Sequence, residues 1–263
     1  MTDAVLYRVD GPIATVTLNR PDRMNTMSVE LLEQVTEVLE RAADDDSVRV
    51  LVMTGSGRAF CAGGDLNRFA QGQDGTVPVR SRIGQLRTAM RTSQLLAEMP
   101  KPTIAAINGA CAGAGLAWAC AADLRYCAES ARFNTAFLTA GLSGDFGGTW
   151  TLPRIVGPAK ARELYLLPEK FDGRRAEEIG LVNRCVPDEA LTKEVDRVAQ
   201  RLAAAAPLAV AAIKANFNDS LTDTFAQHLD READRHTRCM HTEDAQEAAA
   251  AFLEKRPPQF HGR

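Results

Sequence analysis

Neither sign of charge dominates this chain, and no apolar run approaches the roughly 20 residues needed to span a bilayer. Its 263 residues carry 31 Lys+Arg against 34 Asp+Glu, a formal net charge of −3. That balance leaves no electrostatic footprint for nucleic acid as a partner. The opening MTDAVLYRVDG lacks a basic region followed by an apolar one, so it does not read as a secretory signal. Six cysteines (Cys61, Cys111, Cys120, Cys127, Cys185, Cys239) include no CxxC pair and no metal-ligand spacing. They are expected to be reduced, small core residues of a cytoplasmic protein. Four histidines (His228, His236, His241, His261), all in the C-terminal region, show no ligand spacing either and read as surface or interface residues. No metal site is expected. A fixed-period repeat and a low-complexity linker are also missing. What remains is ordinary globular material, 45% hydrophobic and 25% charged, long enough for a sizeable core.

Periodicity organises that material. Residues 4–9 and 13–18 are two extended runs joined by Asp10-Gly11-Pro12, a hairpin signal. Ser28 is placed to cap a helix with an apolar face of Leu31, Val35, Val38 and Ala42. Residues 48–53 form a nearly continuous apolar run, as a strand buried on both faces does. The pattern repeats with a helix over 78–98, a buried strand over 102–107 and an apolar helix over 115–122. Strand, helix and strand in succession predict an α/β fold with parallel pairing. From Val186 onward the pattern is helical: 189–206, a second helix opened by Pro207, then 221–237 and 243–253. The expected organisation is an α/β core over 1–200 and a helical region over 201–263.

Two stretches carry the chemistry. In LVMTGSGRAFCAGGD a buried strand runs into Gly63-Gly64, and Asp65 fits the N-cap of a short helix. In IAAINGACAGAGLAWACAAD a second buried strand runs through a small-residue turn into a helix whose first free amides favour an oxyanion. The GAGLAW spacing does not complete a dinucleotide fingerprint. Two amide-rich turns, each after a parallel strand, could supply the backbone donors of an oxyanion hole. A plain strand-to-helix loop and close small-residue packing are the alternative readings of the same residues.

The segments NRPDRMN (19–25), GRAFCAGGDL (57–66), AAINGACAGAGLAWACAAD (105–123), GGTWTLPRIVG (147–157), AEEIGLVNRCV (176–186) and EDAQEAAAAFLEKRPPQF (243–260) resemble the crotonase (enoyl-CoA hydratase/isomerase) superfamily. They fall in the family's order along almost the whole chain. The resemblance implies repeated ββα units, a helical C-terminal trimerisation region and assembly as a homotrimer or hexamer. It also implies an acyl-CoA thioester as substrate, with no separate cofactor because coenzyme A belongs to the substrate. Carried over by position, the oxyanion donors fall on the amides of Gly64 and Ala114; relatives commonly have glycine at the second. Ala62 matches the position whose backbone reads the adenine, and Arg23 a basic position near the coenzyme's phosphates. Phe252 and Lys255 match residues that reach the coenzyme of a neighbouring subunit. Arg23 and Lys255 could equally be ordinary surface charges.

The departures decide the reaction. Hydratases of the family hold a water with two glutamates, and this chain has Ala117 and Phe137 at those positions. Neither accepts a proton. A carboxylate does occur at Asp145 in GLSGDFGGTW, the loop most similar to that of the ring-oxepin and epoxyphenylacetyl-CoA isomerases. One acid suffices to move a proton between two carbons. Apolar neighbours expected at Phe137, Phe146 and Trp150 would raise its pKa; the alternative is that Asp145 caps the helix after Gly147. Aromatic dehalogenases and ring-closing naphthoyl-CoA synthases also place an aspartate near here, but the dehalogenases' partner tryptophan would fall near Phe137. The expected activity is thus an enoyl-CoA double-bond isomerase, with two rivals. One is a hydratase that uses Asp145 alone or an acid such as Asp74. The other is an inactive acyl-CoA-binding oligomer. Arg80, Arg82, Arg87 and Arg91 lie on the helix expected to cover the acyl pocket, as a solvated face.

Overall fold

A computed structural model describes residues 3–65 and 77–263. Its first element is the hairpin that Asp10-Gly11-Pro12 predicts: β1 (Val5–Asp10) pairs antiparallel with β2 (Ile13–Leu18), with Gly11 at φ 55° in the turn. Ser28 then caps α1 (Val29–Asp44), its Oγ accepting the Leu31 N–H at 3.2 Å. The buried stripe of α1 is Leu31, Val35, Leu39 and Ala42. Leu39 takes the place expected for Val38, which is only half-buried.

β3 (Val50–Gly55) follows, and its alternation explains the unbroken apolar run. Val50 and Val52 face one cluster, with Ile104, Val195 and Ala199, while Leu51 and Met53 face another, with Leu31 and Val35. Both faces are covered. The chain then alternates between two sheets. β3, β5 (Thr103–Ile107), β7 (Leu124–Ala128) and β10 (Arg184–Val186) add in parallel beside β2, giving the order β1-β2-β3-β5-β7-β10. The three-residue strands β4 (Ala59–Cys61), β6 (Ala110–Ala112) and β8 (Arg132–Asn134), closed by β9 (Phe171–Asp172), form a smaller sheet in that order. These short strands are invisible to periodicity.

Helices pack between and around the sheets. The helix expected over 78–98 is two, α2 (Val79–Ala89) and α3 (Arg91–Glu98), interrupted at Met90. α3 is anchored by buried Thr92, Ser93 and Leu96, whereas α2 buries nothing. α4 (Ala114–Ala121) is buried along its whole length. α5 (Gly148–Val156), α6 (Pro158–Leu166) and α7 (Gly173–Glu178) precede β10. α8 (Leu191–Ala203) covers the outer face of the larger sheet through Leu191, Val195 and Ala199. α9 (Pro207–Asp219), α10 (Phe225–Met240) and α11 (Glu243–Glu254) complete the chain. α10 begins later than the expected residue 221, because Thr224 and Gln227 form a capping box there.

Candidate active site

The smaller sheet sets the geometry of the two amide-rich turns. β4 and β6 lie side by side in parallel, so the chain leaves both strands on the same side, into Gly63-Gly64 and into Gly113-Ala114. The turns touch without a side chain between them. A Cβ on Gly63, which sits at φ +89°, would stand 2.8 Å from the Ala112 carbonyl oxygen and 3.4 Å from the Ala114 nitrogen. One on Gly115 would stand 2.2 Å from the Cys61 carbonyl oxygen. Glycine is required at both for the approach. Gly113 takes the left-handed turn at φ 52°, ψ −123°, which lets Ala114 enter α4 with an ordinary helical backbone. Alanine at that position is therefore unstrained. Neither the Gly64 nor the Ala114 N–H donates to an acceptor among the described residues; the bridge from Met27 to this turn uses the Gly63 carbonyl, at 2.8 Å. Ala114 also opens a helix, where unsatisfied amides carry partial positive charge.

The NRPDRMN segment lies against the first turn. The Ala62 N–H donates to the Met24 carbonyl at 3.1 Å, bringing Arg23, exposed and without an ion pair among the described residues, beside Ala62. Asn25 pins the segment. Fully buried at φ 54°, it donates to the Ser56 and Ala59 carbonyls at 3.0 and 2.7 Å, and its Oδ1 accepts the Arg20 N–H at 2.8 Å. Asparagine tolerates that left-handed conformation. Sequence reasoning passed over Asn25, although it stands in the quoted motif.

Asp145 occupies the loop before α5. Its Oδ1 is buried and has no hydrogen-bond partner among the described residues, and burial pushes its pKa from 3.8 up to about 6. The helix-cap reading fails here. α5 is capped at Gly147 without a side-chain bond, and it is the Asp145 main-chain carbonyl that accepts the Gly148 N–H, at 3.2 Å. Phe146 is buried, edge-on to Trp118 with ring centroids 5.9 Å apart. Trp150 is not part of that apolar surround: it is 47% exposed and lies under the Arg154 guanidinium, 3.9 Å from the ring centroid.

Ala117 and Phe137 pack near this loop and the second turn. A Cβ on Gly148 would lie 3.2 Å from the Ala117 Cβ, and one on Gly113 would lie 3.8 Å from Phe137 Cζ. Phe137 stacks parallel on Tyr165 of α6, with centroids 6.1 Å apart and 2° between planes. Tyr165 stands beside Asp145, a neighbour that sequence reasoning missed; its signal was its place one turn after buried Ala161 on α6. Burial raises the Tyr165 pKa, and the nearby Cys120 and Asp145 add to the rise.

Other candidates lie elsewhere. Asp65 follows the first turn and is half-buried; the helix it would cap falls outside the described residues, as does Asp74. Phe252, 83% exposed, and Lys255, at φ 55°, sit at the end of α11, with no described hydrogen bond or ion pair to the cleft. Of the arginines near α2, Arg80 is exposed, Arg91 pairs with Glu40 at 2.8 Å, and Arg87 donates to Gln94 at 3.3 Å. Four cysteines are buried, and Cys185 and Cys239 partly so; all six are free.

Among the described residues, strands divided between a six-stranded and a four-stranded sheet, with a wholly buried helix springing from paired glycine turns, define an α/β protein of the crotonase class. A family model described as enoyl-CoA hydratase/isomerase matches residues 8–263, and the chain belongs to that family of acyl-CoA enzymes. It is 38% identical over 263 residues, all of both chains, to the 1,2-epoxyphenylacetyl-CoA isomerase of Escherichia coli (strain K12). It is also 38% identical over 260 residues, 98% of each chain, to a probable enoyl-CoA hydratase of Rhodobacter capsulatus. The crystal structure of an enoyl-CoA hydratase from Bacillus anthracis superposes with a TM-score of 0.92 at 30% identity, over 99% of this chain and 100% of that one.

Proposed function

We propose that this chain is an enoyl-CoA isomerase that shifts a double bond with a single acid. In this reading the Asp145 carboxylate takes a proton from one carbon of the acyl group and returns it to another. Between those events the thioester oxygen carries the enolate charge and accepts hydrogen bonds from the Gly64 and Ala114 N–H groups. The observation that carries the reading is a half-buried carboxyl whose Oδ1 has no partner among the described residues, with Ala117 and Phe137, which accept no proton, packed nearby. Adding water needs a group to hold it and a group to deprotonate it; alanine and phenylalanine do neither. A pKa of about 6 suits an acid that must both take and give a proton near neutrality. The likeness to an epoxyphenylacetyl-CoA isomerase supports the same choice.

At the rim, the Ala62 backbone and Arg23 would receive the adenine and phosphates of coenzyme A, with Asp65 beside them. Phe252 and Lys255 would reach the coenzyme bound by a neighbouring copy, which makes the working unit a homotrimer or a pair of trimers. Such assembly would cover side chains that a lone chain leaves in water: Phe217 is 72% exposed, Phe225 78%, Phe252 83% and Leu253 79%. No cofactor beyond the substrate's own coenzyme A enters the scheme.

Incubation of hex-3-enoyl-CoA in deuterated solvent tests it. The expected result is conversion to the 2-enoyl isomer with deuterium at the α- or γ-carbon, and loss of both in Asp145→Ala. Water addition to crotonyl-CoA that survives Asp145→Ala would overturn the assignment in favour of a hydratase. A thioester that raises the melting temperature but exchanges no proton would instead mark a binding protein. Ala114→Pro tests the second donor. It removes one N–H at the first helical position, where proline is tolerated, and should lower kcat by about 10²–10³.

A further inference from the structure

Beside Asp145 stands a second polar group, the Tyr165 hydroxyl, to which the proton shuttle gives no task. The tyrosine is held in place on two sides. Its ring stacks on Phe137, and it leans on the two glycines that flank the acid: a Cβ on Gly144 would stand 3.5 Å from Tyr165 Cε1, and one on Gly148 only 2.3 Å from its hydroxyl oxygen. With no side chain at either glycine, the phenol has room to lie across the Asp145 loop. The hydroxyl makes no hydrogen bond with any described residue, Asp145 included. Phenylalanine would stack on Phe137 and fill the same space, so packing accounts for the ring and leaves the oxygen unexplained. Other side chains of this wall, Phe137, Phe146 and Ala117, offer no acceptor.

We infer that Tyr165 is a specificity-determining residue whose hydroxyl donates a hydrogen bond to an oxygen on the acyl group, so that the preferred substrate is an enoyl thioester bearing a hydroxyl, keto or ether oxygen beyond its reacting carbons. The inference rests on the reading that the acyl group binds beside Asp145. Burial and the neighbouring carboxylate keep the phenol protonated, so it is a donor throughout the neutral range. A site that presents such a donor discriminates against an acyl chain that leaves it unpaired.

The test compares hex-3-enoyl-CoA with its 5-hydroxy and 6-hydroxy counterparts in the wild type, Tyr165→Phe and Asp145→Asn. The wild type should prefer at least one hydroxylated substrate by about 10-fold in kcat/KM, and Tyr165→Phe should abolish that preference. The same variant should keep the plain chain's rate within about 3-fold and leave the acid limb of the pH profile in place. Equal rates for all three substrates in the wild type, or a preference that persists in Tyr165→Phe, would overturn the inference. So would a uniform loss across substrates or a displaced acid limb, which would mean that Tyr165 acts through Asp145. Asp145→Asn separates the two levels. Full isomerisation by that variant would overturn the proton-shuttle reading, whereas its inactivity alongside an unaltered Tyr165→Phe would overturn only the role of the tyrosine.

Discussion

Two buried charges in this molecule are treated in opposite ways. Lys214, on α9, is 8% exposed, and its ammonium is fully occupied: it donates to Asp123 at 2.7 Å and to the Leu96 and Lys101 carbonyls at 3.1 and 3.0 Å. Asp123 is itself held by the Thr103 N–H and hydroxyl, at 2.8 and 3.0 Å. Asp145 has a buried oxygen with no donor among the described residues. Burial lowers the Lys214 pKa while Asp123 opposes that fall, but no group opposes the rise at Asp145. A folded chain meets the cost of a structural charge with partners. Where a buried carboxyl is left without a partner, burial shifts its pKa toward the neutral range, which is what a proton-shuttling acid needs.

The largest effect should come from neutralising the unmet group. Asp145→Asn keeps the shape of the side chain and removes its basicity, so isomerisation should fall by about 10²–10⁴, measured as the Δ3 to Δ2 conversion rate. The opposite result belongs to the met charge. Lys214→Ala should cost about 2–3 kcal/mol of stability in denaturant titration, because Asp123 then keeps only its Thr103 bonds and two carbonyls lose their donor. Activity per folded molecule should be unchanged. If Lys214→Ala lowered kcat at full folding, the contrast between the two charges would break.

How much of this was readable without coordinates follows the same division. Elements fixed by neighbours in sequence were legible: the hairpin at Asp10-Gly11, the Ser28 cap, and the double-faced burial of β3 and β5. The capping box at Thr224 was equally local and was read past, which displaced the start of α10. Strands β4, β6 and β8 were not legible, since three residues show no period and their pairing is between distant segments. The two glycine-rich turns were legible as patterns, yet their meeting depends on β4 and β6 being neighbours. Asp145 was marked by family resemblance; that it caps nothing, and that Tyr165 rather than Trp150 shares its wall, depends on contacts across the fold.

A pH profile sharpens the comparison next. To take a proton, Asp145 must be ionised, so kcat/KM should rise with pH through about 6 and flatten above. Below that value the rate should fall about tenfold per pH step, since each step removes most of the remaining carboxylate. Lys214 takes no part in the proposed proton transfer, and Lys214→Ala should leave the limb in place. An acid limb near pH 4 would mean that substrate or water solvates the carboxylate more than its buried surroundings do.

The smallest effect is on stability, and its sign distinguishes the two charges most directly. Asp145 ionises near 3.8 when unfolded and at about 6 when folded. Between those values the folded chain holds a proton that the unfolded chain has lost. Its contribution is therefore harmless below about pH 4, turns unfavourable as pH rises to 6, and is constant above. A rise of that size amounts to about 3 kcal/mol for a fully dry group. Asp145 is half-buried, which reduces the expectation to about 1–2 kcal/mol. Asp145→Asn should accordingly be more stable than the wild type at pH 7 by about that amount and equal to it near pH 4, read as chemical-denaturation midpoints at the two pH values. The variant that loses most of the activity would be the one that gains stability. Equal stability at both pH values would mean that the carboxylate is solvated in the folded chain, and the case for Asp145 as an acid tuned by burial would fail even if its loss still stopped the reaction.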